Sequence, residues 1–568
     1  MQRILSFRVP AIFCAFAVVA CELIAHPFTT MGVDDDAPYI LMAHHLAATG
    51  HVAYNGWAAP MLTWQLYLAS ALIKLFGFSF TTVRASTMFI SAILAFFLQR
   101  ILTRCNVTER NATIATLALA LSPLYLMLSV TFMTDIHGLF AVILCLYACI
   151  RAVQSTTSRV TIAWLCFAVA ANALVGTSRQ IAWLGILVMV PSTLWLLRSN
   201  RRVLAAGLAA TLGGYAFIFA CLHWLKQQPY TIPEQLIPKS LHLAHTAAEF
   251  IHTFLDIPFF LLPIFAIFLP QIRKARPRVR ALLSALAILY LLLAILRRHV
   301  NPTAFLEPIE AQYLGPSGAF PLYLQGTPPL FLHIPVRILF TIASLGGLLG
   351  LIACFTLPKT PSHASSNTVL TQHQLNILLT PFAAANILLL IPRATEWLTD
   401  RYLLILLAVT LIFLVRYYQD HVQTRLPATS AVLVAIMAMY AIVVTHNLFA
   451  LDRARVALAV EIRSAGIPDT AVDYGWEYNF STELQFAPSL NFPTIVVPAN
   501  FYHPTPPTPP GVCTAYYAVE TPHIHPRMGL SFDPNACAGT APFAPVHYSR
   551  WLASHPGTLY VVRYLRPN

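Results

Sequence analysis

Three consecutive aspartates, Asp34, Asp35 and Asp36, stand in the stretch MGVDDDAPY of a chain that has only 22 acidic residues. Adjacent carboxylates repel, so their pKa values separate, and one can act as a base while another orients it or holds a metal. The triplet also opens a helix-like run, DDAPYILMAHHLAATG, and carboxylates at a helix N-terminus are favoured by capping and by the dipole. Both readings stay open for the triplet on composition alone. Asp135 and His137 follow a proline-broken run in LSPLYLMLSVTFMTDIHGLF, where a cap is again the simpler role. Arginines recur beside carboxylates: Arg179 with Gln180 in GTSRQIAW, Arg297 and Arg298 with His299 in LRRHVNP, and Arg393, Glu396, Asp400, Arg401 and Tyr402 in IPRATEWLTDRYLL. A guanidinium suits a phosphate or a carboxylate, although Arg179 could simply snorkel to an interface.

The elements that must position these groups are membrane spans. The 568 residues are 57% hydrophobic and 10% charged, with a mean hydropathy of +0.66. A soluble chain carries about 25% charged residues. The long apolar runs predict an all-α polytopic membrane protein. The net charge of +13 sits in short clusters between apolar runs, which is topology information and argues against a nucleic-acid partner.

Spans are expected near 9–26, 83–99, 112–130, 136–150, 160–177, 180–197, 203–222, 250–270, 281–296, 335–357, 375–392, 402–418 and 429–446. The segment 61–77 is ambiguous in length, and the positive-inside rule decides it. If 61–77 lies along the surface, one side collects Arg3, Arg8, Arg100, Arg104, Arg110, Arg151, Arg159, Arg198, Arg201, Arg202, Arg273 to Arg280, Lys359, Arg416 and Arg425. This reading gives 13 spans, a cytoplasmic N-terminus on an uncleaved first span, and an interfacial helix at 61–77. Two regions follow: a transmembrane domain at 1–446, with a first external loop at 27–82, and a small extracytoplasmic domain of mixed or β-rich structure at 447–568. The acidic triplet, Asp135 and the unusual arginines then share the external face at membrane depth, where an anionic, membrane-anchored substrate would carry its phosphate.

Three stretches carry a family resemblance. DDDAPYILMAHHLAATGHVAYNG resembles an acidic pair followed by Tyr39, a short helix and a glycine. SPLYLMLSVTFMTDIHGLF is similar to a second acidic motif, and TDRYLLILLAV to a late Asp-Arg-Tyr motif that opens a span. Over about 30–450 the chain thus resembles the GT-C superfamily of integral-membrane glycosyltransferases that use polyprenyl-phosphate sugars, in the bacterial branch of protein O-mannosyltransferases and the lipid A aminoarabinose transferase.

That resemblance implies a bacterial inner-membrane enzyme with a polyprenyl-phosphate-linked sugar as donor, a hydroxyl of a glycan, lipid or protein as acceptor, and membrane lipids around it. It implies Asp35 as the catalytic base, with Asp34 as the alternative if the register slips, and Asp36 closest to a cap role. Arg401 is the implied donor-phosphate ligand, with Arg179, Arg297 and Arg298 as further candidates. Asp135 matches a position that helps hold a divalent metal (Mg or Mn, with Asp35) or the donor phosphate. Tyr39, His137, Gln180, Asp400 and Tyr402 accompany these motifs. One departure is WAAPMLTW, which has Pro60 but no lysine where many relatives carry a Lys-Pro-Pro-like stretch.

The remaining features weigh less. A transporter or flippase for a lipid-linked or anionic substrate would explain many spans, but it predicts charge near mid-span rather than on one face. A non-catalytic scaffold would leave the one-sided pattern a coincidence. Cys513 and Cys537 lie in the polar tail and could pair there in an oxidising compartment, whereas the other eight cysteines lie in or beside apolar segments. His242, His245 and His252 have helical spacing better suited to an interface than to a metal. His44 and His45 belong to the first-loop helix, and Gly475 to Asn479 (GWEYN) could contact an acceptor.

Overall fold

The computed structural model describes residues 9–232, 243–297, 305–309, 312–358, 370–395, 398–487 and 512–565. Among them, eight helices are long and apolar enough to cross a membrane, or ten if each of two sharply bent pairs counts as one span. The chain is a multi-pass helical membrane protein. The expected count of 13 is not reached by that measure. Val9–Ala25 and Gln180–Leu196 are apolar but shorter than the others, and 281–296 lies within the helix Pro277–Arg297.

The bends follow the sequence. Glu109–Ala120 and Pro123–Ser129 meet at 66°. Pro123 lacks the N–H to continue the first helix, and Ser122 caps the second by accepting the Tyr125 N–H at 3.3 Å. Thr134–Val153 is apolar through its middle, as a helix at the centre of a bundle must be, and nearly all its residues are buried. Ile334–Phe355 approaches the backbone of 265–269 through Gly350, where an added Cβ would lie 2.4 Å from the Phe268 carbonyl oxygen. Small residues let membrane helices approach this closely.

Thr63–Phe76 covers most of the ambiguous segment. Its 14 residues rise about 21 Å, short of the ~30 Å hydrocarbon core, and Tyr67, Leu75 and Phe76 are exposed on it. These features suit the interfacial placement.

The bundle has two chemically different ends. At one, the Arg416 guanidinium bonds the Cys105 carbonyl, Asn111 bonds Gln419 at 3.0 Å, and Arg104 bonds Gln154 at 2.9 Å. The other end gathers the acidic triplet, the starts of Phe80–Arg104 and Thr134–Val153, the turn at 176–183 and the start of the span Asp400–His421. Beyond it the helix Ala428–Ser464 runs on into the C-terminal region. There a four-stranded mixed sheet, in the order Val472–Asp473, Met528–Ser531, Gly557–Arg563, Val546–Tyr548, packs with the helix Trp476–Phe486. Cys513 and Cys537 are joined there by a disulfide, with Cα atoms 5.4 Å apart.

Asp36 fastens the first loop to this frame. Its carboxylate is fully buried and accepts from Arg84 Nε at 2.8 Å, Arg84 Nη2 at 3.1 Å, Val33 N at 2.7 Å and Phe132 N at 3.2 Å. Arg84 also donates to the Met31 carbonyl and lies over Phe449 and Phe80, at 5.4 and 5.7 Å from the ring centres. Removing one member of a buried pair strands the other charge, at a cost of about 3–5 kcal/mol. Arg84→Met is therefore expected to lower the thermal unfolding temperature of the detergent-solubilised protein sharply, and adding Asp36→Asn should recover part of the loss. An unchanged unfolding temperature in Arg84→Met would refute this role.

Candidate active site

The acidic turn is shaped before its side chains are. At Gly32 a Cβ would stand 2.3 Å from that of Ala37, so the chain folds back on the helix start only with glycine there. Asp34 follows with φ +50°, a left-handed conformation that aspartate tolerates better than most residues. The three carboxylates consequently point to different places.

Asp36 is structural, as described. Asp35 stands at the N-cap of the helix Asp36–Thr49 but makes no capping hydrogen bond. Instead its Oδ1 accepts from Trp57 Nε1 at 2.8 Å and its Oδ2 from Arg401 Nη1 at 3.1 Å. Its side chain keeps 14% exposure, so it is the triplet member that solvent or a ligand can reach. Asp34 is buried 3.9 Å from the same guanidinium, and its Oδ2 has no hydrogen-bond partner. Burial, then repulsion from Asp35, holds the Asp34 carboxyl well above the usual carboxylate range, against the pull of Arg401 and a hydrogen bond from Tyr313.

Arg401 lies between two aromatic faces, 4.5 Å from the Tyr313 ring centre and 5.4 Å from that of Tyr402. Its neighbour Asp400 faces away from this cleft. Asp400 accepts from the backbone N–H groups of Tyr313 and Leu314 at 3.1 and 3.0 Å, while its own N–H donates to Gln312 at 2.6 Å. Asp400 therefore fixes the 312–314 loop that lays Tyr313 over Arg401.

Two more guanidinium groups share the Tyr402 ring, Arg179 at 5.0 Å and Arg393 at 5.8 Å. Arg179 is paired with buried Asp135, and Gly138 lies against its side chain, with space for a Cβ only 3.1 Å from Cδ. Three cations around one phenol ring, balanced by Asp35 and Asp135, make a cleft suited to an anion.

Gln180 reaches the Ala59 carbonyl at 3.5 Å, bringing the first loop to the same turn. Tyr39 is buried in the first-loop core with Ile40 and Tyr54. His137 does not join the cleft: it is fully buried in the bundle with Nε2 3.3 Å from Thr87 Oγ1. Arg297 ends its helix, and Arg298, His299, Glu396 and His242 lie outside the described residues. His44 stacks on Phe78 at 3.8 Å, away from the aspartates.

The divalent metal expected on Asp35 and Asp135 does not fit the side chains. Each carboxylate faces a guanidinium rather than the other, and no group of three His, Cys, Asp or Glu among the described residues could hold a metal ion.

Several groups in the cleft were not singled out from sequence. Tyr313 sits in a stretch without a motif, and Trp57 opens WAAPMLTW, which drew notice only for its missing lysine. Glu520, from the C-terminal region, is 3% exposed with an unpartnered Oε2, and burial followed by the charge of Asp35 pushes its carboxyl up to about 9.

Fold and cleft together define a multi-pass helical membrane protein with an anion-suited cleft at one end of its bundle. Residues 58–225 match the family model of dolichyl-phosphate-mannose-protein mannosyltransferases. The match takes in Asp135 and Arg179 but stops short of the acidic triplet and Arg401. No curated protein sequence matches the chain.

Among solved structures, ArnT from Cupriavidus metallidurans bound to undecaprenyl phosphate is 14% identical at a TM-score of 0.42, with 99% of this chain and 98% of that one covered. The S. cerevisiae protein O-mannosyltransferase Pmt1-Pmt2 complex bound to the sugar donor is 15% identical at a TM-score of 0.33, covering 40% and 35%. The arabinosyltransferase EmbB from Mycobacterium smegmatis is 12% identical at 0.34, covering 77% and 40%.

Glu520 makes stability depend on pH in a defined direction. The folded state keeps a proton that the unfolded chain releases above about pH 4, so this group's contribution falls as pH rises towards about 9. In thermal unfolding scans, Glu520→Gln should gain on the wild type progressively between about pH 5 and pH 8. A difference independent of pH would contradict the assignment.

Proposed function

We propose that this chain is an inverting glycosyltransferase of a bacterial plasma membrane. On this reading it moves a sugar from a polyprenyl phosphate to a hydroxyl acceptor at the extracytoplasmic face. The observation that carries the reading is the meeting of a partly exposed carboxylate, Asp35, with Arg401 at 3.1 Å, inside a cleft lined by Arg179, Arg393 and Tyr402.

The donor phosphate would enter beside Arg401 and Arg179, where the guanidinium groups offer paired N–H donors to its oxygens. The acceptor hydroxyl would come from the aqueous side and lose its proton to Asp35. Its oxygen then bonds to the anomeric carbon from the face opposite the phosphate. The bond from that carbon to the phosphate oxygen breaks, its electron pair leaves on the phosphate, and the arginines offset the growing charge. A phosphate leaves readily, so no acid is needed on that side. Burial and the charge of Asp35 push the Asp34 carboxyl up, which favours its neutral form and lessens repulsion on Asp35. Asp135 orients Arg179, and no step is assigned to a metal.

The test is transfer of label from radiolabelled polyprenyl-phosphate sugars, mannose first, by protein in liposomes carrying a cell-envelope extract as acceptor. Asp35→Asn is expected to fold normally and to lose about 10²–10⁴-fold in turnover, the usual worth of a positioned base. Arg401→Ala should mainly weaken retention of undecaprenyl phosphate. Wild-type turnover in Asp35→Asn would remove Asp35 as the base.

A further inference from the structure

Trp57 connects Asp35 to a part of the chain more than 400 residues away. Its indole N–H is a single directional donor aimed at Asp35 Oδ1 over 2.8 Å, while Arg401 holds Oδ2. The Trp57 ring is itself gripped from the C-terminal side. Trp476 meets it edge-on at 5.3 Å and Phe480 lies 4.9 Å away, one turn apart on the helix Trp476–Phe486. Both are almost wholly buried, at 3% and 1% exposure. Behind them Tyr323 and Tyr517 pack on Trp476 at 5.5 and 5.2 Å.

The helix that carries this grip is fixed to a span. Arg455, on Ala428–Ser464, donates to Glu477 at 2.7 Å and to the Tyr474 carbonyl at 3.0 and 3.1 Å. Gly475 makes the turn between them with φ +92°, and a Cβ there would stand 2.4 Å from Arg455 Nη2. Asn479 is tied to Asp473 at 2.7 Å. A rigid path therefore runs from the long span through Trp476 and Phe480 to Trp57.

We propose that the C-terminal region sets the position of Asp35 through this aromatic clamp, with Trp57 and Trp476 as positioning residues for the reaction. The proposal rests on Asp35 being the base. A carboxylate held by Arg401 alone can rotate about its side-chain bonds. With the indole on the other oxygen its plane is fixed, and the orientation of a catalytic group by as little as 1 Å can be worth about 10²-fold in rate. The clamp also gives the C-terminal region a catalytic consequence without any of its own residues touching the donor phosphate.

The experiment measures kcat and donor KM in liposomes, with the polyprenyl-phosphate sugar that the wild type turns over, for Trp57→Phe, Trp476→Phe, their double variant and Asp35→Asn. Trp57→Phe should lower kcat about 10–100-fold with donor KM unchanged. Trp476→Phe should lower it less, and the double variant should fall no further than Trp57→Phe, because Trp476 acts through Trp57. Phe480→Leu, a milder change on the same grip, should reproduce the kcat loss in part and serves if Trp476→Phe does not fold.

Wild-type kcat in Trp57→Phe, or single losses that multiply in the double variant, would overturn the clamp while leaving Asp35 as the base if Asp35→Asn is inactive. Full turnover in Asp35→Asn would instead overturn the reading beneath it, and the clamp with it.

Discussion

A carboxylate buried at the edge of a membrane bundle is tolerable only if its charge is matched and its lone pairs are filled. Asp36 meets both conditions through Arg84 and the backbone N–H groups of Val33 and Phe132. Those partners come from the first loop, the span Phe80–Arg104 and the turn before Thr134–Val153, so one side chain joins three segments. With Asp36 committed to structure, the helix start is immobile. The two preceding aspartates are then held at a fixed distance from Arg401, 3.9 Å for Asp34 and 3.1 Å for Asp35. The tight Gly32 turn and the left-handed Asp34 follow from the same anchoring.

The cleft above this anchor manages three guanidinium groups in little space. Aromatic faces share the work with carboxylates: Tyr402 is approached by Arg179, Arg393 and Arg401, and Tyr313 covers Arg401. Asp135 and Asp35 supply the counter-charge without filling the cleft. An anion entering there meets cations already oriented, which lowers the reorganisation required of the protein. On the proposed reading, that pre-arrangement serves a lipid phosphate whose depth matches the ends of the spans.

Much of this was legible where residue type and topology coincide. Asp35 lies in the first external loop and Arg401 at the start of a span 366 positions later, yet charge counting assigns both to one face, and they touch. Pro123 announced a broken span. Legibility failed where role depends on a distant partner. Arg84 reads as an ordinary residue near the start of a span, and only the fold reveals that it neutralises Asp36. Asp400 looks like part of the cleft by adjacency to Arg401, whereas helical geometry turns it towards the 312–314 backbone. His137, two residues from Asp135, points into the bundle for the same reason. Trp57, Tyr313 and Glu520 lie in irregular segments without periodicity, so nothing local marks them. Nor does the sequence hint that an arginine faces each of Asp35 and Asp135.

The central claim is that the cleft between Asp35, Arg401 and Arg179 receives a lipid-linked phosphate. A cryo-EM structure of the protein in nanodiscs with undecaprenyl phosphate tests it most directly. The account predicts phosphate density within hydrogen-bonding distance of Arg401 and Arg179, with an Asp35 oxygen facing the side that the acceptor would approach. Density at the opposite end of the bundle, among Arg104, Arg151 and Arg416, would contradict it.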